Sequence, residues 1–68
     1  MSTRIRVNGH DEQHTAATVA ELLQARGIAG SRGVAVAVNG IVVPAGAWRE
    51  TSLAAGDEVE IVRPFGGG

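Results

Sequence analysis

The sequence runs to 68 residues, is 44% hydrophobic and 19% charged, and carries a net charge of −1 at neutral pH. That length allows one domain, and the absence of cysteine removes disulfide staples and thiolate metal sites, so apolar burial must hold the chain together. Basic residues interspersed with acidic ones, with Trp48 and Phe65 as the only aromatics, exclude a nucleic-acid-binding face; without a charged-then-apolar leader or a long apolar run, no membrane is expected and the cytoplasm is the expected location.

The first stretch, TRIRVNGHDEQHT, alternates Ile5 and Val7 with Arg4 and Arg6 and predicts a strand of period two. Asn8-Gly9 then predicts a tight hairpin turn, and the polar return from about Asp11 to Ala16 predicts a weak edge strand. At TVAELLQARGIAG the period changes. Thr18 followed by Glu21 reads as a capping box, in which Glu21 reaches back to the cap's backbone N–H. Val19, Leu22 and Leu23 share one helical face, and the helix should run about 10 residues from Val19 until Gly27 or Gly30 stops it.

GVAVAVNGIVVP gives the strongest strand signal. Val34, Val36 and Val38 point one way and Ala35 and Ala37 the other, which predicts a strand covered at least partly on both faces. Asn39-Gly40 marks a second hairpin turn, Ile41 to Val43 start its partner, and Pro44 ends the pairing. A connector follows, with a tight turn at Ala54-Ala55-Gly56-Asp57, and EVEIVR supplies the last strand, closed by Pro64. The order is strand, strand, helix, strand, strand, connector, strand. One helix packed on one face of a mixed sheet of four to five strands buries these faces most economically, with the first and last strands parallel neighbours in the centre. This is an α+β arrangement, the ubiquitin-like β-grasp, with a domain over residues 1–63 and a flexible tail over 64–68. Ile5, Val7, Leu22, Leu23, Val36, Val38 and Ile61 are the predicted core, and Trp48 should pack over its edge.

Several residues invite a functional role and are better read as structure. His10 and His14 are four apart, but on a strand that spacing separates them by about 13 Å, so they are expected to be exposed polar residues and no metal is expected. Asp57, Glu58 and Glu60 read as a solvated turn and strand face, with a rim that steers a basic partner surface as the alternative. No serine–histidine–aspartate set, paired carboxylates or phosphate-binding loop is present, so the chain should act as a co-substrate rather than a catalyst.

The final Gly66-Gly67-Gly68 needs a different reason, because glycine is the residue that loses most backbone freedom on ordering. Five residues from Pro64 to Gly68 span about 16 Å when extended. Such a tail can enter a narrow channel that side chains would block. Pro64 would stiffen its exit, and Phe65 would serve as an apolar anchor on a partner.

The stretch GVAVAVNGIVVPAGAW, then LAAGDEVEIVR, then the terminal Gly67-Gly68, resembles the ThiS family of thiamine-biosynthesis sulfur carriers. The likeness is residue by residue from about Gly33 to Gly68; before that it is confined to element order and the TVAELL helix start. Family tails commonly carry Gln or Ala before the last two glycines, whereas here Pro64-Phe65-Gly66 precede them. The resemblance implies that the Gly68 carboxylate is the carrier site, adenylated and then converted to a thiocarboxylate whose sulfur goes to the thiazole ring of thiamine, with Pro64, Phe65, Gly66 and Gly67 contacting partners. Those partners would be a ubiquitin-activating-enzyme-like adenylyltransferase (ThiF-like), a thiazole synthase (ThiG-like) and a sulfur donor such as a cysteine desulfurase. The chain itself would bind no cofactor, ATP being used by the activating partner. Alternatives are a sibling carrier for molybdopterin or cysteine synthesis, or a ubiquitin-like binding module that leaves its C-terminus unused. All six basic residues are arginine. Genome base composition is the plain reason, and the removal of internal amines that would attack an acyl-adenylate is the functional one.

Overall fold

The structure is a computed structural model, and it describes residues 3–28 and 33–63. Its elements are β1 (Thr3–Val7), β2 (His10–His14), α1 (Val19–Ala25), β3 (Ala35–Val38), β4 (Ile41–Val43), a short 3₁₀ turn (Ala45–Ala47) and β5 (Glu58–Val62). The five strands form one mixed sheet in the order β2-β1-β5-β3-β4. β1 and β5 are parallel and central, and the other pairings are antiparallel. This is the expected β-grasp.

Each element follows from local chemistry. Both hairpins turn at Asn-Gly with positive φ at both residues, 51° and 84° at Asn8 and Gly9 and 53° and 82° at Asn39 and Gly40. Those angles suit the right-handed twist of the flanking strands, and Asn tolerates the left-handed region better than other residues with a Cβ. β2 starts at His10 and ends at His14, earlier at both ends than expected, because pairing against the five residues of β1 sets its length. It lies at the sheet edge, as its polar sequence predicts.

α1 is shorter than its sequence suggests, 7 residues rather than about 10. It ends where Gly27 takes a φ of 77°, so Gly27 and not Gly30 stops it. Thr18 caps the start, its Oγ1 accepting from the Glu21 N–H at 3.2 Å. The return arm of the cap differs from expectation: the Glu21 carboxylate accepts from the N–H of Ala17, one residue before the cap, at 2.8 Å. The next free donors of the helix are met by the connector, Val19 N–H donating to the Thr51 carbonyl at 3.0 Å and Ala20 N–H to that of Trp48 at 3.1 Å. The helix is therefore tied down at its start by residues far along the chain.

One face of α1 buries Val19, Leu22 and Leu23 against Ile5, Val7, Val36, Val43, Val59 and Ile61 of the sheet. Full burial of each such side chain contributes about 1.5–3 kcal/mol. Trp48 closes the edge as expected, 8% exposed, with its indole N–H donating to the Val43 carbonyl at 2.9 Å. Val38 is only half-buried and packs against the cluster from outside, whereas Val19, Val43 and Val59 belong to it. The expectation that both faces of β3 are covered at least partly holds at Ala37 and fails at Ala35. Val36 is buried, but Ala35 is exposed and Ala37 only half-buried, because α1 packs on one side of the sheet and no described element packs on the other.

Candidate functional site

The carrier group expected at Gly68, with Pro64, Phe65, Gly66 and Gly67, lies outside the described residues. The structure does describe the strand that leads to it. β5 sits at the centre of the sheet, with β1 parallel on one flank and β3 antiparallel on the other. Arg6 and Val7 stand opposite Glu58 and Val59, and Ala35, Val36, Ala37 and Val38 stand opposite Val62, Ile61, Glu60 and Val59. Val59 and Ile61 point into the core, and Glu58, Glu60 and Val62 point to the open face. A strand paired on both flanks and anchored by two buried side chains is the most constrained place from which a tail can start.

The turn asparagines add to that constraint in a way sequence reasoning missed. The Asn8 carboxamide accepts from the Ile61 N–H at 2.8 Å and donates to the Ile61 carbonyl at 3.2 Å. The Asn39 carboxamide accepts from the Glu58 N–H at 3.0 Å and donates to an Asp57 carboxylate oxygen, also at 3.0 Å. Both side chains thus bind the same strand at opposite ends. The only sequence signal was the choice of Asn over Asp or Gly at the first turn position, since Asn alone offers both a donor and an acceptor there.

The acidic residues near β5 divide. Asp57 caps its own turn by accepting from the Ala54 N–H at 2.8 Å, and Glu58 lies 3.4 Å from Arg6 across the exposed face. Glu60 is exposed on the open face, beside Ala35, Ala37, Val42 and Val62. Val42 and Val62 are 72% and 63% exposed, so this half of the open face is apolar. A shallow groove of ≈ 340 Å³ lies where β5 ends, lined by Asn8, Arg26, Ile28, Ile61 and Arg63.

One of the two histidines differs from expectation. His10 is exposed, opposite Val7, but His14 at the far end of β2 is partly buried. Its Nε2 lies 2.5 Å from Glu12 Oε1, and Arg26, just past the end of α1, reaches both Glu12 oxygens at 2.9 and 3.1 Å. Glu12 stands opposite Ile5, so alternation turns it toward the helix side, where these partners are. The hydrogen bond from His14 holds the Glu12 carboxyl below the usual carboxylate range, against partial burial and with help from Arg26. This cluster ties the edge strand to the end of the helix.

The sequence model of the ThiS family matches residues 3–68. The crystal structure of a thiamine biosynthesis protein (ThiS) from Geobacter metallireducens superimposes with a TM-score of 0.78 at 35% identity, covering 97% of this chain and 100% of that one. A solution NMR structure of a thiamine biosynthesis protein from the same organism gives a TM-score of 0.79 at 35% identity, over 97% of this chain and 88% of the other. A search of curated proteins gives no match.

Proposed function

Because this chain belongs to the ThiS family, we propose that it is a sulfur carrier of thiamine biosynthesis, with the Gly68 carboxylate as the group that carries the atom. The observation that carries this reading is the family match running through Gly66, Gly67 and Gly68, the residues that follow the best-held strand of the sheet.

The chemistry explains why the carrier needs a free carboxylate and little else. A carboxylate resists nucleophiles because its own charge repels them. In the proposed cycle, a Gly68 oxygen attacks the α-phosphorus of ATP on the activating partner, forming an acyl-adenylate and releasing pyrophosphate. The outer sulfur of a donor's persulfide then attacks the acyl carbon and expels AMP, leaving an acyl disulfide. A thiol reductant cleaves the sulfur–sulfur bond and leaves the thiocarboxylate, a better nucleophile than the original acid, for delivery to a thiazole synthase. ATP and the catalytic groups belong to the partners, and this chain is their co-substrate. Pro64 and Phe65 seat the start of the tail, while Gly66 and Gly67 pass through a channel too narrow for side chains.

The apolar half of the open sheet face, with Ala35, Val42 and Val62 exposed and Ala37 half-buried, favours a second reading, a ubiquitin-like module that binds through its sheet alone. Deleting Gly67 and Gly68 separates the two. A carrier loses ATP–pyrophosphate exchange by its adenylyltransferase to background, with an unchanged melting curve. A sheet-binding module keeps its partner. Intact mass after incubation with ATP, adenylyltransferase, a persulfide donor and a thiol reductant should show a species heavier by the difference between one sulfur and one oxygen, and a mass that never changes defeats the carrier reading.

A further inference from the structure

The two Asn-Gly turns serve one strand from opposite ends. β1 bonds β5 through the Arg6 N–H to the Asp57 carbonyl and the Asn8 N–H to the Val59 carbonyl, both at 2.9 Å. A parallel ladder continued beyond Asn8 would offer Ile61 an acceptor for its N–H and a donor for its carbonyl. The Asn8-Gly9 turn carries the backbone away into β2 before either can be made. The Asn8 carboxamide supplies both, its oxygen to the Ile61 N–H at 2.8 Å and its nitrogen to the Ile61 carbonyl at 3.2 Å. On the other flank, Ala35 of β3 stands opposite Val62. The clamp on β5 therefore reaches Ile61 on the β1 flank and Val62 on the β3 flank, and among the described residues only Arg63 lies beyond it. Without the Asn8 carboxamide, the β1 flank of the clamp would retreat to Val59.

We propose that Asn8 is a positioning residue for the carrier group: its side chain fixes where, and in what direction, β5 releases the tail that ends at Gly68. The inference rests on the carrier reading above. A group delivered on a short tether reacts only in the fraction of complexes that hold it at the reacting atom, so the aim of the strand before the tether enters the rate. The aim matters less for docking of the body, which is made by other surfaces. Asn39 provides a matched control. It has the same turn position, the same sign of φ and a carboxamide oxygen that likewise accepts from a β5 N–H, but its nitrogen donates to the Asp57 carboxylate, and it holds the end remote from the tail, at Asp57 and Glu58.

The test uses the full chain with Asn8→Gly and Asn39→Gly, both of which keep the turn conformation and remove the carboxamide. Amide hydrogen exchange by NMR reports the clamp directly, at Ile61 for the first variant and Glu58 for the second. ATP–pyrophosphate exchange with the cognate adenylyltransferase, at varied carrier concentration, reports the function. Asn8→Gly should speed exchange at Ile61 and lower kcat about fivefold, with KM within about twofold of the parent. Asn39→Gly should speed exchange at Glu58 and leave both constants within about twofold. Equal losses of kcat in the two variants, or an unchanged kcat in Asn8→Gly despite faster exchange at Ile61, overturns the inference. A parent chain that supports no pyrophosphate exchange at all overturns the carrier reading first, and this inference with it.

Discussion

The two faces of the sheet carry the same kind of alternating strand and have different fates. On the helix side, Ile5, Val7, Val36, Val59 and Ile61 meet Val19, Leu22 and Leu23 and are nearly inaccessible to water. On the opposite side, the half formed by β1 and β2 is charged, with Arg6 bridging Asp11 at 3.3 Å and Glu58 at 3.4 Å. The half formed by β3, β4 and the end of β5 leaves Val42 and Val62 in solvent. Alternation assigns residues to faces, but only topology decides which face receives α1. An apolar residue on the uncovered face contributes little to folding and remains available for contact with other molecules.

Substitutions on each face should reveal this asymmetry. Leu22→Ala, under the helix, should cost about 2–5 kcal/mol, enough to unfold a large share of a domain this small, as read by urea denaturation. A cost under about 1 kcal/mol would mean that the helix is not the cover of this face. At the rim of the same face, Glu12→Gln should cost about 0.5–1 kcal/mol at neutral pH, because it weakens a partly exposed cluster with His14 and Arg26. The folded Glu12 is held below its ordinary value of 4.5, so the parent's advantage is fully present above that value. It disappears as pH falls through the lowered value in the folded chain, and the two stability curves should converge in acid. Parallel curves down to the acid limit would remove Glu12 as the cause. On the open face, Val42→Ser should change stability by no more than about 0.5 kcal/mol. A markedly larger loss in thermal unfolding would show that this face is covered in the isolated chain.

Much of this architecture is legible residue by residue. Both Asn-Gly turns, the Thr18 cap with Glu21, the buried stripe of Val19, Leu22 and Leu23, and the place of Trp48 follow from short-range patterns, because turn angles, capping bonds and periodicity are properties of a few neighbouring residues. The sequence alone overstates the length of α1 because QARGIAG offers two glycines, and either could end a helix until tertiary context picks Gly27. His14 reads as exposed because its partner Glu12 is held by Arg26, which is 14 residues from Glu12 in sequence and comes near only when α1 lies across the sheet. The roles of Asn8 and Asn39 toward β5 were invisible for the same reason: Ile61 lies 53 residues from Asn8.

The sequence by itself determined which residues form strands, where the chain reverses, which side chains must avoid water and, through its ThiS-like second half, the family expectation. These depend on local angles and on the affinity of each side chain for water, which travel with the residue. Only the tertiary structure decided which sheet face stays open, which polar side chains find partners, and how β5 is gripped before the chain leaves it, because each of these requires two distant segments to meet at hydrogen-bonding distance.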